Sequence, residues 1–241
     1  SNIQLANAAL CDERFGRFTF SECCLCLTFF ERLTHSRAAL RESAQRAARQ
    51  LQQRGLRRGD TLALWLPNGA AWLQLLLACA ELGVLVIPIS TRYKPAEVRH
   101  LLEVSQARLL VVPRHFLDQD YAAQADALQA SIPSLEQHWV VDEPSQIIAL
   151  PDTLPALTDR GQADDLLCCF STSGTTGFPK LAAHGHHSIA RHAWHVAQAF
   201  GLHPGDAMLC ALPFYGVFGF MVVLSTLAGG AACVLQPVFD A

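Results

Sequence analysis

The sequence predicts an α/β fold in which mainly parallel β-sheets are covered by helices. Short apolar segments such as Thr61–Leu66 and Val84–Ile89 alternate with helical patterns of about 10–15 residues, as in β–α–β units. These segments are apolar at successive positions, which indicates that both faces of each strand are buried. Charged residues make up 16% of the chain, against a typical share of about 25%, so the composition provides much core and little solvated surface.

The first clear helix follows Ser36. Apolar residues from Leu40 to Leu51 recur at helical spacing, and Gly55 is placed to end the helix. Seven arginines fall between Arg37 and Arg58, and because the net charge of the chain is −3 we interpret them as a solvated outer face in preference to a polyanion-binding patch. The elements predicted next are strand Thr61–Leu66, helix Ala70–Leu82, strand Val84–Ile89, a helix beginning at Pro95, strand Arg108–Val112, helix Tyr121–Ala130 and strand Trp139–Val141.

Residues 143–164 are predicted to be a surface connection, because they contain three prolines and several acidic residues. A sub-domain seam fits there, whereas a flexible linker does not. The uncharged stretch Val217–Leu235 is long enough to cross a bilayer, but two glycines divide it, so a buried helix followed by a strand is preferred. The elements predicted after the connection are strand Leu166–Phe170, helix Ser188–Phe200, strand Ala207–Ala211, helix Val217–Leu227 and strand Ala231–Leu235.

The composition also argues against several functional classes. An acidic net charge is not typical of a general nucleic-acid-binding protein. Nine cysteines spread through globular patterns are expected to be reduced, which predicts a cytoplasmic location. No secretory signal pattern is visible at the N-terminus. We therefore expect neither nucleic acid nor a membrane span.

Two clusters of potential metal ligands stand out. Cys23, Cys24 and Cys26 lie close together, but no second pair completes a C-x-x-C set. Five histidines lie between His184 and His195 without a cysteine or acidic residue at sequence range to complete a site. We interpret the cysteines as part of a buried apolar segment and the histidines as ordinary side chains of a helix face. A metal-binding module stays open as an alternative, for which zinc titration is the test.

A glycine- and hydroxyl-rich segment, Ser171–Lys180, reads S-T-S-G-T-T-G-F-P-K directly after an apolar strand. Glycines let the backbone turn its N–H groups inward, hydroxyls donate at short range and the lysine adds a positive charge, so the segment predicts a phosphate-binding loop. It is not a Walker loop, because Pro179 replaces the second glycine and Leu181 follows the lysine. It also lacks one glycine of the dinucleotide-binding fingerprint.

The segment closely resembles the signature T-S-G-[ST]-T-G-x-P-K of the adenylate-forming superfamily, which includes acyl-CoA synthetases, the adenylation domains of peptide synthetases, and luciferases. Every position from Thr172 to Lys180 matches this signature. Outside the loop, Gly59–Asn68 resembles the family block G-D-x-V-A-L-x-L-P-N, and Leu212–Gly219 resembles L-P-x-F-H-x-x-G.

Weaker agreements extend the similarity over most of the chain. The segment from Leu82 to Glu97 resembles the family block L-G-A-x-x-V-P-L-N-x-R-x-x-x-x-E, and His186 falls where members commonly carry a histidine. Together these blocks cover roughly residues 34–240. The resemblance implies that the fold is part of the large N-terminal domain of an adenylate-forming enzyme.

The resemblance implies an AMP-forming acid–thiol ligase. In that reaction a carboxylate attacks the α-phosphate of Mg²⁺-bound ATP, pyrophosphate leaves, and a thiol, usually coenzyme A, takes the acyl group from the acyl-adenylate. Such chemistry depends on positioning and on neutralising phosphate charge, which is the role the resemblance implies for the loop, with Lys180 stabilising charge. The implied phosphate-binding residues are Thr172, Ser173, Gly174, Thr175, Thr176, Gly177 and Lys180, and the implied substrate-binding residues are Phe214, Tyr215, Gly216 and Gly219.

The chain departs from the family pattern at two points. Gly216 stands where members usually carry a histidine, which enlarges the acid pocket, leaves Tyr215 to substitute, or only provides a tight turn. The apolar residues around it favour an aromatic or fatty acid over an amino acid. The family's adenine, ribose and catalytic-lysine motifs have no counterpart before Ala241.

From this second departure we expect residues 1–241 to be the N-terminal portion of an AMP-binding domain that lacks the C-terminal domain and is inactive alone. A second copy of the chain and the missing C-terminal part are both open as partners. A carrier-protein-loading adenylation domain and a non-catalytic truncated module are the alternative functions.

Overall fold

The computed structural model of the chain describes residues 28–29, 36–172 and 179–237. The helices are α1 Arg37–Gln53, α2 Ala70–Leu82, α3 Pro95–Ser105, α4 Tyr121–Gln129, α5 Pro144–Ile148, α6 His186–Ala199 and α7 Val217–Gly229. The strands are β1 Thr28–Phe29, β2 Thr61–Leu64, β3 Leu85–Pro88, β4 Leu109–Val112, β5 His115–Phe116, β6 Gln119–Asp120, β7 Gln137–Val140, β8 Leu166–Thr172, β9 Lys180–Gly185, β10 Ala207–Cys210 and β11 Ala232–Leu235.

The central sheet contains six strands in the order β7–β4–β2–β3–β8–β9. Its strands are parallel except for β9, which pairs antiparallel with β8. A second, three-stranded sheet has the order β1–β11–β10 and is parallel throughout, while β5 and β6 form a small antiparallel pair. This mainly parallel arrangement confirms the predicted α/β fold.

Both faces of the central sheet are buried, as its apolar strands predict. Leu62 and Leu64 of β2 belong to a core that includes α1 and α2, whereas Ala63 and Trp65 belong to a second core that includes α3 and α4. Alternate residues of a strand point to opposite faces, so one short strand serves both cores. The helices therefore form a layer on each side of the sheet.

The second sheet is continuous with the first of these two cores. Phe214 and Leu235 pack in the same cluster of buried residues as Leu62. The uncharged stretch near the end of the chain forms helix α7, a left-handed turn at Gly230 with φ 83°, and strand β11, as the preferred prediction stated. Within the described ranges, every helix is too short or too polar to cross a membrane.

The arginines on and after α1 hold other segments in place. Neither a solvated outer face nor a polyanion-binding patch predicts this role. Arg46 and Arg49 bond to Asp152 of the connection, and Arg58 forms two-pronged hydrogen bonds with Asp165. In addition, Arg37 donates to the carbonyl oxygen of Leu227, and the guanidinium of Arg54 lies 4.7 Å from the centre of the Trp139 ring. The predicted solvated face is thus in large part a docking face.

Candidate functional site

The phosphate-binding loop predicted from the sequence begins and ends on one hairpin. Thr172 at the end of β8 pairs with Lys180 at the start of β9, and the Thr172 hydroxyl donates to the Lys180 carbonyl oxygen over 3.4 Å. Both side chains are exposed. The hairpin therefore brings the two outermost predicted phosphate-binding residues together, while Ser173, Gly174, Thr175, Thr176 and Gly177 lie outside the described residues.

The end of the hairpin lies at the edge of the sheet where open α/β folds bind their ligands. Strands β2, β3 and β8 run in the same direction, so the loop leaves β8 at the edge where the carboxyl ends of these strands meet. We call this the carboxyl edge of the sheet. Ligands of open α/β sheets bind outside the carboxyl ends of the strands.

Asn68 joins this edge to the second sheet. It follows β2, is buried, and its side-chain amide donates to the carbonyl oxygen of Leu212 over 2.8 Å and to that of Gln236 over 3.3 Å. Its side-chain oxygen accepts a hydrogen bond from the backbone N–H of Phe214 over 2.8 Å. The carboxyl ends of β2, β10 and β11 thus converge on one amide, which the sequence analysis assigned only to a family block.

The four predicted substrate-binding residues occupy different environments. Phe214 is fully buried, with its ring centre 5.5 Å from that of Trp72. Tyr215 and Gly216 are half-buried, and Gly216 precedes α7. Gly219 is buried in the first turn of α7. The role of these residues in binding an acid stays a prediction.

Gly219 has a packing reason to be glycine. A Cβ atom at this position would fall against the carbonyl oxygen of Pro213 and 2.6 Å from that of Leu212. The missing side chain lets α7 begin directly against the segment that follows β10. Around it, Leu212, Val217 and Phe218 present apolar surface to solvent, and Phe218 is 68% exposed.

An aromatic contact connects the loop strand to α7. The ring centres of Phe170 on β8 and Phe220 on α7 are 5.0 Å apart, in an edge-to-face arrangement. Phe170 is two residues before Thr172, and Phe220 follows Gly219. The structure therefore brings the predicted phosphate loop and the predicted substrate segment to the same region of the carboxyl edge.

Two further side chains reach the hairpin end from the segment after β3. The Tyr93 hydroxyl lies 3.1 Å from the Ser171 hydroxyl, and Nε2 of His100 lies 3.2 Å from the Pro179 carbonyl oxygen. Sequence reasoning missed both, because Tyr93 lies between the family-pattern residues of its block and His100 follows that block. The available signal was their position after a buried strand, with Tyr93 just before α3 and His100 within it.

A charged cluster with shifted pKa values lies at the opposite edge of the sheet. Arg58 donates to Asp165 over 2.7–3.1 Å and holds the pKa of that carboxyl below its usual value. Burial lowers the pKa of His186, and the Asp165 carboxylate partly opposes this effect. A cavity of about 520 Å³ opens beside Arg58, Gly83 and Asp165. The Arg58–Asp165 ion pair joins the start of β8 to the segment before β2 and is remote from the predicted phosphate loop.

The donor set at the carboxyl edge suits phosphate better than a metal ion. An exposed hydroxyl at Thr172 and an ammonium group at Lys180 are hydrogen-bond donors of the kind that phosphate oxygens accept. Among the residues that the structure describes, no group of three or more His, Cys, Asp or Glu side chains is placed to hold a metal ion. The five histidines from His184 to His195 are among the described residues, whereas Cys23, Cys24 and Cys26 lie outside them.

Comparison with known proteins identifies relatives of one chemical class. The family model described as AMP-binding enzyme matches residues 21–241. The chain is 28% identical over 235 residues to medium-chain acyl-CoA ligase ACSF2 of Bos taurus, covering 84% of this chain and 38% of the relative. It is 29% identical over 208 residues to long-chain-fatty-acid–CoA ligase FadD13 of Mycobacterium tuberculosis, covering 85% and 40%. The chain thus spans about two fifths of the length of these curated relatives.

The chain also superimposes closely on solved structures. The inhibitor-bound N-terminal domain of FACL13 from Mycobacterium tuberculosis superimposes with a TM-score of 0.80 at 25% identity, covering 98% of this chain and 57% of that one. ATP-bound MatB from Rhodopseudomonas palustris superimposes with a TM-score of 0.80 at 26% identity, covering 97% and 46%.

Proposed function

Because the chain belongs to the AMP-binding enzyme family, we propose that it takes part in the ATP-dependent activation of a carboxylic acid. In the proposed reaction a carboxylate oxygen forms a bond to the α-phosphorus of ATP, the bond from that phosphorus to the bridging oxygen breaks, and pyrophosphate leaves. The thiol of coenzyme A then attacks the acyl-adenylate, and AMP leaves. The observation that carries the proposal is the signature segment Thr172–Lys180, which leaves β8 at the carboxyl edge and returns on β9.

The proposed role of the loop is to hold the phosphates that depart. Thr172 and Lys180 are directly paired residues of β8 and β9 at the two ends of the loop, so their side chains lie on the same face of the hairpin. Backbone N–H groups near Gly174 and Gly177 and the hydroxyls of Ser173, Thr175 and Thr176 are proposed to complete the grip. Charge placed before the reaction stabilises charge that develops during it, which is the main protein contribution in phosphoryl chemistry. Lys180 is the proposed catalytic residue in this sense.

An apolar acid is the proposed substrate class. Val217 is 52% exposed and Phe218 is 68% exposed beside the half-buried Tyr215, so the start of α7 offers hydrocarbon surface near the loop. One relative is named as a medium-chain acyl-CoA ligase and the other as a long-chain-fatty-acid–CoA ligase, which supports this class and favours coenzyme A over a carrier protein as the acceptor. Mg²⁺ is proposed as the ion that accompanies ATP.

Lys180→Met tests the loop. We expect the variant to bind pyrophosphate and ATP about tenfold more weakly than the unmodified chain, because a hydrogen bond to a charged group is worth about 1.5–3 kcal/mol. Equilibrium dialysis with radiolabelled pyrophosphate measures the change. Arg191→Met is the matched control, because it removes one exposed positive charge from α6. Equal affinities of the two variants would contradict the assignment of the loop.

Exchange of labelled pyrophosphate into ATP, measured with a panel of carboxylic acids, tests the reaction itself. Exchange that depends on a fatty or aromatic acid is the expected signature of acyl-adenylate formation, and we expect it only when the proposed C-terminal domain accompanies this chain. Exchange by residues 1–241 alone would show that the expectation of an incomplete site is wrong.

A further inference from the structure

One segment, running from the end of β3 into α3, contacts both ends of the loop hairpin. The Tyr93 hydroxyl meets Ser171 on the strand that enters the loop, at 3.1 Å between the two oxygens. Nε2 of His100 meets the carbonyl oxygen of Pro179 where the chain leaves the loop, at 3.2 Å. We refer to Tyr93 and His100 together as the loop clamp.

The segment that carries the loop clamp is held in place by the packing and capping of α3. Val98, Leu101 and Leu102 on the inner face of α3 are fully buried in the core beneath the sheet. The helix begins with Pro95 at its first position, and the carboxylate of Glu97 accepts a hydrogen bond from the backbone N–H of Lys94 over 2.8 Å. A proline at the first position and a side-chain hydrogen bond back to the residue before the helix both fix the start of a helix. Tyr93 and His100 therefore extend from a segment whose own position is set by packing.

Few other contacts among the described residues hold the end of the hairpin in place. Thr172 and Lys180 form its last pair, and β9 is an edge strand with a neighbour on one side only in the described sheet. The Pro179 nitrogen carries no hydrogen, so its carbonyl oxygen is the group through which this residue can be held by a hydrogen bond. A carbonyl oxygen only accepts, so Nε2 of His100 carries the proton in this contact.

We propose that Tyr93 and His100 are positioning residues for the phosphate-binding loop. They hold Ser171 and Pro179, which flank the loop, and so restrict where its two ends lie before a ligand arrives. Ordering a loop before binding removes that cost from the affinity, so the clamp strengthens binding without touching the ligand. The ligand chemistry is that of pyrophosphate or the terminal phosphates of a nucleoside triphosphate, and this inference rests on the proposed function.

Tyr93→Phe tests the clamp, because it removes one hydroxyl and keeps the ring. Hydrogen exchange of the amides in residues 171–181 should become about two- to tenfold faster, and affinity for inorganic pyrophosphate should fall by a similar factor, as expected for the loss of one hydrogen bond. Thr158→Val is the matched control. It also removes one hydroxyl, which bonds to the Gln52 side chain over 3.0 Å, at the opposite edge of the sheet from the loop. The melting temperatures of both variants should stay close to that of the unmodified chain.

His100 allows a rescue experiment. His100→Gln keeps an N–H donor and His100→Leu removes it, so the glutamine variant should retain more of the pyrophosphate affinity and the slow exchange. A double-mutant cycle of Tyr93→Phe with Ser171→Ala should give less than additive losses, because both changes break the same hydrogen bond.

The outcomes separate this inference from the function on which it rests. Failure of the unmodified chain to bind pyrophosphate would overturn the proposed function and the clamp with it. Normal binding by the unmodified chain, together with Tyr93→Phe behaving like Thr158→Val in exchange and affinity, would overturn the clamp alone. Equal losses for His100→Gln and His100→Leu would remove His100 from it.

Discussion

At Gly219 the absence of one methyl group lets α7 start against backbone carbonyl groups. Gly219→Ala places a Cβ atom against Pro213 and Leu212, whose carbonyl oxygens cannot move without shifting the chain. We expect a loss of about 1–3 kcal/mol in the free energy of unfolding, the usual cost of overpacking. Urea denaturation followed by circular dichroism measures it.

Gly216→Ala is the control for this prediction. The added Cβ atom at Gly216 would lie 3.5 Å from the Pro213 carbonyl oxygen, an ordinary contact, and the φ angle of −97° suits any residue. Its unfolding free energy should change by less than about 0.5 kcal/mol. Similar losses for both glycines would show that Gly219 is not required by close approach.

The Arg58–Asp165 pair predicts how stability depends on pH. Hydrogen bonds from Arg58 lower the pKa of Asp165 in the folded chain, so between that lowered pKa and the ordinary value the unfolded chain binds more protons. The stability that the pair contributes is therefore present above the ordinary carboxyl pKa and is lost as the pH falls towards the lowered one. Asp165→Asn should lower the melting temperature at pH 7. It should also make the melting temperature fall less steeply below about pH 4 than in the unmodified chain. Calorimetry of the two proteins across this pH range measures both effects.

Asp118→Asn serves as the reference for the pH series. Asp118 is exposed and has a φ angle of 60°, a left-handed conformation that asparagine tolerates well. Its melting curve should follow that of the unmodified chain from pH 7 to pH 3. If Asp165→Asn also followed it, the ion pair would contribute nothing measurable to folding.

Residue-scale prediction from the sequence succeeded where a residue's neighbours are local. Thr172 and Lys180, eight residues apart in the signature, pair across β8 and β9, while their role in binding phosphate stays a prediction. The sequence did not indicate that Asn68 would join two sheets, or that His100 would reach Pro179, because these partners lie 146 and 79 residues away along the chain. Such contacts depend on which strands become neighbours, and periodicity carries no information about that.

At the scale of elements, the contact between β8 and α7 links the loop strand to the predicted substrate segment. A double-mutant cycle of Phe170→Leu and Phe220→Leu should give a coupling energy of about 0.5–1.5 kcal/mol, typical of an edge-to-face pair of aromatic rings. Chemical denaturation of the two single variants and the double variant measures it. Phe170→Leu combined with Phe116→Leu, whose ring packs on Tyr121 in the other core, should be additive within about 0.5 kcal/mol. Coupling of equal size in both cycles would contradict a direct link.

Most elements were predictable because helices and buried strands have distinct patterns. Helix α2 has the bounds that its apolar run predicts, and its end at Gly83 has a φ angle of 78° that suits glycine. Strand β9 was missed, because K-L-A-A-H-G has no β-branched residue and no alternation of polar and apolar positions. Its strand conformation comes from pairing with β8, a tertiary effect that overrides weak local preference.

At the scale of the whole molecule, two mainly parallel sheets share one core and meet at their carboxyl edges. The sequence indicated parallel strands and buried helices, which is why the fold class was predictable. It did not indicate that the strands would divide into sheets of six and three, since strand pairing depends on contacts between segments that are far apart in the chain. The carboxyl edges meet through Asn68, and this meeting brings the loop and the start of α7 into one region.

The antiparallel return of β9 also determines the electrostatics of the loop. In phosphate loops that run from a strand into a helix, the helix start adds about half a positive charge. Here the chain enters β9 at Lys180, and α6 starts at His186 only after β9 has crossed to the opposite edge, where the His186 N–H bonds to Asp165. Under the proposed function, the ammonium group of Lys180 therefore acts without the dipole of a helix that directly follows the loop. An exposed point charge is screened by dissolved ions, so the ionic strength of the solution becomes a direct control on how tightly this fold holds phosphate.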